Sequence, residues 1–66
     1  MANKRTPAPE VIELQTAIFT NRLGLSAVMK EAGIAASTWA RWANGADPKA
    51  SNLASVRAAI ERLSNA

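Results

Sequence analysis

The 66-residue chain has no cysteine, no histidine and no tyrosine, and a single phenylalanine. Without cysteine there can be no disulfide, and without cysteine or histidine the usual ligand sets for zinc are excluded. Most enzyme chemistry goes with them, because no His, Cys or Tyr can act as base or nucleophile. The five carboxylates, Glu10, Glu13, Glu31, Asp47 and Glu61, are scattered and form no acid–base pair. The expectation is a chain that is not an enzyme, with no metal, no cofactor and no small-molecule ligand. There is no run of about 18 apolar residues, so no transmembrane span is expected. The opening MANKRTPAPE carries positive charge without a following apolar segment and does not read as a secretory signal. With the absence of cysteine, this leads to the expectation of a reducing, cytoplasmic setting.

Apolar bulk is scarce as well. Hydrophobic residues make up 48% of the chain, but fifteen of those 32 positions are alanine and only seventeen are larger. One small domain with a thin core is all that such a chain can build, and domains of this size often lean on a partner. The formal net charge is +3 and the isoelectric point near 10.2, a mild bias towards an anionic partner.

Residues 1–5 are polar and fall outside any apolar pattern; they read as a flexible basic arm carrying Lys4 and Arg5, ahead of a single domain over 6–66. Thr6-Pro7-Ala8-Pro9-Glu10 marks a helix start, either with Thr6 as cap and Pro7 first in the helix, or with Ala8 preceding Pro9. Val11, Leu14 and Ile18 follow at helical spacing, with Ile12, Phe19 and Leu23 widening the stripe and Gly24 as the stop. A short second helix is expected with Ser26 as cap, Val28, Met29 and Ala32 inward, and Gly33 closing it. A third carries Ser37 to Ala43 and ends at Asn44-Gly45. After the connection Ala46 to Ala50, Ser51 is expected to cap a fourth helix with Leu53, Val56, Ile60 and Leu63 at spacings of three and four. The predicted helices are about 8–23, 26–32, 36–43 and 52–64, in an all-α fold with no period-two stretch long enough for a strand. Arg57 and Glu61, four apart, are expected to pair on a solvated face.

Only Gly33, Ile34 and Ala35 separate the second helix from the third, and so short a connection containing glycine predicts a helix-turn-helix unit. At about 100° per residue, Trp39, Trp42 and Ala43 share one face of the third helix, while Ser37, Arg41 and Asn44 line the other. Ala36 and Ala40 flank the polar stripe and keep it low. The two tryptophans read as core and Arg41 as the one strongly basic side chain on the outward face.

The stretch Gly33-Ile34-Ala35-Ala36-Ser37-Thr38-Trp39-Ala40-Arg41-Trp42-Ala43-Asn44-Gly45 resembles, without a gap, the G-V-S-x-S-T-I-S-x-W-x-N-G core of the phage repressor and Cro-type (XRE-like) helix-turn-helix family. With Pro48 and Ser51-x-Leu53 the similarity spans about residues 24–63. Met29 stands where a small residue is usual, Leu25 where many members carry a phosphate-anchoring Gln, Ala35 where a capping Ser is usual, and Trp39 where a smaller aliphatic is usual. The loss of the Ser cap alone weakens the start of the third helix by about 1 kcal/mol.

The resemblance implies a small four-helix, lambda repressor-like domain that binds double-stranded DNA with its third helix in the major groove. It places Ala36, Ser37, Ala40, Arg41 and Asn44 towards the bases. Arg41 suits guanine O6 and N7; Asn44 suits adenine or phosphate; Ser37 suits phosphate or a near base edge; Ala36 and Ala40 suit a thymine methyl. Ser26, Thr38, Lys49, Lys4 and Arg5 are expected at phosphates, where they position without specifying. The implied role is a phage or prophage regulator in a bacterial host cell, acting as a homodimer at least on DNA. Two other readings compete: a helical protein-interaction module of antitoxin or adaptor type, and an excisionase-like architectural protein that bends DNA. An interaction module should expose large apolar side chains on the third helix, where this chain has Ser, Arg and Asn.

Overall fold

The computed structural model describes residues 6–65, so the arm residues Lys4 and Arg5 lie outside the described residues. Among them the fold is all-helical, with α1 (Pro9–Thr20), α2 (Leu25–Ala32), α3 (Ala36–Ala43) and α4 (Ala50–Ser64), and no strand. No described helix is long and apolar enough to cross a membrane.

Of the two possible starts for α1, the chain uses Ala8 as the N-cap residue with Pro9 first in the helix. Proline costs nothing there because that N–H has no intrahelical partner. The Ala8 carbonyl accepts from the N–H groups of Val11 and Ile12 at 2.9 and 3.2 Å. Val11, Leu14 and Ile18 are buried, as their spacing requires. The end of α1 differs from expectation. It closes at Thr20 rather than near residue 23, and Gly24 is not its stop. Instead the Leu23 N–H donates to the Ile18 carbonyl at 2.9 Å and the Arg22 N–H to that of Phe19 at 3.0 Å. This paired Schellman pattern needs a left-handed residue, and Arg22 supplies it at φ 56°. Leu23 then turns back and packs against the core. Gly24, freed from that duty, sits at φ −85° as the N-cap residue of α2.

The same closure recurs at α2 and α3 with glycine in the left-handed place. Gly33 has φ 74°, with Ile34 N–H to Met29 carbonyl at 2.9 Å; Gly45 has φ 102°, with Ala46 N–H to Arg41 carbonyl at 2.9 Å. Ile34 packs against the core from the turn itself, as expected. Neither Ser26 nor Ser51 is a cap: Gly24 and Lys49 hold those places, without side-chain cap bonds, and both serines lie inside the first turns. Ala35 likewise makes no side-chain cap bond for α3. α2 and α4 each begin one residue before the serine, at Leu25 and Ala50.

The core forms where α4 packs on α1 and α2 and where α3 reaches under α2. Its centre is Val11, Val28 and Val56, which are fully buried, with Leu14, Met29, Trp39, Trp42, Leu53 and Ile60 around them. Ala59 is fully buried as well; a methyl is all that the close contact of α4 admits. No polar side chain is buried among the described residues.

Three expected positions and one expected pair are corrected. Phe19 is 82% exposed and Ile12 44%, so neither joins the buried stripe of α1. Their azimuths lie within about 20° of one another and more than 100° from the Val11–Leu14–Ile18 direction. Ala43 is also exposed; it stands at the edge of the tryptophan face with a methyl too short to reach inward. The Arg57–Glu61 pair is replaced by pairs between helices: Arg57 Nη2 lies 3.9 Å from Glu13 Oε1, and Arg62 Nε donates to Glu31 Oε2 at 2.8 Å. Packing of α4 on α1 and α2 brings those carboxylates closer than the one on the next turn.

Candidate nucleic-acid interface

Eight residues long, α3 is held by its two tryptophans. Trp42 is 3% exposed and Trp39 8%, with ring centroids 5.6 Å apart and planes tilted by 60°. That arrangement suits the ring quadrupoles and fixes the rotation of the helix about its axis. The opposite face is then determined: Ala36, Ser37, Ala40, Arg41 and Asn44 are all exposed, so every residue expected on the outward face stands on it.

Their surroundings are unequal. The Arg41 edge borders a cleft of about 270 Å³ lined also by Thr38, Trp42, Ala46, Asp47, Lys49 and Asn52. Three of the residues expected to meet DNA, Thr38, Arg41 and Lys49, are thus brought together. The cleft carries two cations against the single carboxylate of Asp47. Among the described residues neither Arg41 nor Lys49 forms an ion pair, so both charges remain available. Lys49 is the N-cap residue of α4, whose first N–H groups have no side-chain cap and add partial positive charge beside the cleft. Asn52, in the first turn of α4, was not expected here. The only sequence signal for it is its place three residues after Lys49, and that signal depends on knowing that α4 starts at Ala50.

The remaining expected residues separate from this group. Ser26 is exposed in the first turn of α2, away from the cleft. Asn44 is exposed, but its Nδ2 donates to the Ala40 carbonyl at 2.9 Å, so one of its two amide hydrogens is spent on the end of α3. Thr38 is half-buried and lines the cleft.

Chemically, the face presents one guanidinium, two short polar side chains and a low alanine surface, with an ammonium and uncapped N–H groups at its flank. That set suits an extended anionic surface with hydrogen-bonding edges. Among the described residues no group of three or more carboxylate, His or Cys side chains could hold a metal ion. Compared with protein-family models, curated proteins and solved structures, the chain has no significant match.

Proposed function

We propose that the chain is a sequence-specific DNA-binding regulator in which α2, the Gly33-Ile34-Ala35 turn and α3 form a helix-turn-helix, and α3 enters the major groove. The single observation that carries this reading is the outward face of α3. Arg41 stands free there among Ser37, Asn44 and two alanines, on a helix locked by two buried tryptophans.

In this reading Arg41 is the principal base reader. Its guanidinium fork matches guanine O6 and N7, a pairing worth roughly 1–3 kcal/mol of discrimination. Ala36 and Ala40 let the helix approach the groove closely and offer methyl contact to thymine. Ser37 stands at the start of α3 where a phosphate or the first base edge comes near. Asn44 joins as a lesser contact, one amide hydrogen being held by Ala40. Thr38 and Lys49 take phosphates along the cleft, together with the open N–H groups of α4, and Ser26 takes one at the start of α2. Regulation is by occupancy, as in phage repressors: a protein bound over a promoter excludes polymerase.

Selection from a randomised pool of duplex DNA tests the reading. Sequencing of the retained fraction should show an enriched site containing guanine, and affinity for it should fall steeply as salt rises, by about 0.9 log units per log unit of salt for each phosphate neutralised. No enrichment, with a flat salt response, would contradict DNA binding altogether.

The protein-interaction reading has an observation of its own, the exposed Phe19. That side chain lies on α1, however, while the outward face of α3 carries no large apolar residue. The two surfaces are distinct and do not compete.

A further inference from the structure

An 82% exposed phenylalanine is unusual in a chain with only seventeen large apolar residues. Phe19 itself forms one wall of an open groove of about 560 Å³, lined also by Ile12, Gln15, Thr16, Leu23, Leu25 and Trp39. Ile12 and Leu25 are themselves 44% and 39% exposed. Here a projecting ring and a hollow of apolar character stand next to each other on one face.

We propose that this face docks a second copy of the chain, in a two-fold dimer in which Phe19 of each protomer enters the groove of the other. A two-fold rotation places each protomer's knob against its partner's hollow, so a surface carrying both is self-complementary. Among the described residues none that lines the groove is ionisable, and the nearest cation shown beside Phe19 is Arg22 in the adjoining hollow, so the groove itself offers a charged partner nothing to pair with. Residues 1–5 carry two cations and a single large apolar side chain, so they do not suit the groove either.

The area agrees with this occupant. Phe19, Ile12 and Leu25 together offer roughly 300–400 Å² of apolar surface, as large as the largest patch on a typical monomer. With Gln15 and Thr16 each side reaches roughly 500–600 Å², so that a pair buries about 1,000–1,200 Å², the lower end for a specific interface. The dimer is therefore weak and forms only at high protein concentration. The dimer face uses α1 and Leu25 rather than the outward face of α3, and it meets the proposed DNA surface only at the start of α2, where Ser26 follows Leu25.

Sedimentation equilibrium of the full chain without DNA tests it, from about 5 µM to about 1 mM. The expected mass rises with concentration from 7.0 kDa towards twice that value. Phe19→Ser should raise the dissociation constant at least about 30-fold, and circular dichroism should show its helices intact because the side chain is exposed. Ile12→Ser should act in the same direction. Raising salt from about 50 to about 500 mM should leave the equilibrium nearly unchanged, since the groove lining carries no ionisable side chain among the described residues. On dilution, the NMR signal of the Trp39 indole N–H should shift while that of Trp42 stays fixed, because only Trp39 lines the groove. A chain that stays monomeric to about 1 mM, a dimer indifferent to Phe19→Ser, or dilution shifts at Trp42 instead would each overturn the proposal. So would binding to neutral phosphatidylcholine vesicles by a chain that never self-associates.

Discussion

The rings of Trp39 and Trp42 pack 5.6 Å apart at 60°, and this pair decides which side of α3 faces outward. Arg41, between them in sequence, is thereby turned away from the core. Trp42 is the more deeply buried of the two, at 3% exposed against 8% for Trp39. Trp42→Ala is expected to cost about 3–5 kcal/mol, a large part of the stability of so small a domain. Trp42→Phe, which keeps an aromatic ring in place, should cost less. Urea denaturation followed by helical circular dichroism distinguishes the two, and a Trp42→Ala loss below about 1 kcal/mol would show that the pair is not an anchor.

Two glycines predict opposite signs. Gly33 sits at φ 74°, and a Cβ there would meet nothing within 4 Å, so the cost of Gly33→Ala is purely that of the left-handed backbone. The left-handed strain of about 1–2 kcal/mol is partly offset by about 0.5–1 kcal/mol from a less flexible unfolded chain, so a net destabilisation of about 0.5–1 kcal/mol is expected. Gly24 is equally uncrowded and has an ordinary φ of −85° at the N-cap of α2. Gly24→Ser should stabilise by about 0.5–1 kcal/mol, through a new cap bond and a less flexible unfolded chain. Thermal unfolding of both variants gives the answer, and shifts of the same sign would contradict the assignment.

Arg22 is the counterpart of Gly33 at the end of α1, with φ 56° on a side-chain-bearing residue. Replacing it by glycine removes about 1–2 kcal/mol of left-handed strain and adds about 0.5–1 kcal/mol of unfolded-state entropy. Arg22→Gly is therefore expected to stabilise by roughly 0.5–1 kcal/mol, measurable as a rise in Tm. A fall in Tm would mean that the arginine side chain contributes more than its backbone costs.

These positions also show how far the fold can be read from residues alone. Spacings of three and four along Val11–Leu14–Ile18 and Leu53–Val56–Ile60 locate the buried faces of α1 and α4, and Gly33 and Asn44-Gly45 locate the ends of α2 and α3. The end of α1 escapes such reading because the left-handed site falls on an arginine; the useful signal is Leu23, the apolar residue that must return to Ile18. Phe19 escapes for a different reason. Hydrophobicity predicts burial, but its azimuth on α1 lies more than about 100° from the buried Val11–Leu14–Ile18 direction. The outward stripe of α3 is legible because two tryptophans fix its opposite side. Grouping Lys49 and Asn52 with Arg41 is not, since it depends on how the 46–49 connection folds back beside α3.

That grouping carries its own expectation. Lys49 lines the cleft beside Arg41 but stands at the start of α4, off the open face of α3. Lys49→Ala should weaken binding about equally for every DNA sequence and lower the slope of log K against log salt by about 1, the signature of one lost phosphate contact. Titrations at several salt concentrations on two unrelated duplexes test this. A loss confined to one sequence would instead place Lys49 at a base.

The central claim is that α3 reads DNA bases through Arg41. The most direct test compares the chain and its Arg41→Ala variant on the duplex recovered by selection and on an unrelated duplex of equal length, at one salt concentration. Affinity for the selected site is predicted to fall roughly 5- to 150-fold, corresponding to about 1–3 kcal/mol, while affinity for the unrelated duplex falls only a few-fold. Equal losses on both duplexes would contradict base reading by Arg41, and no loss on either would remove α3 from the interface.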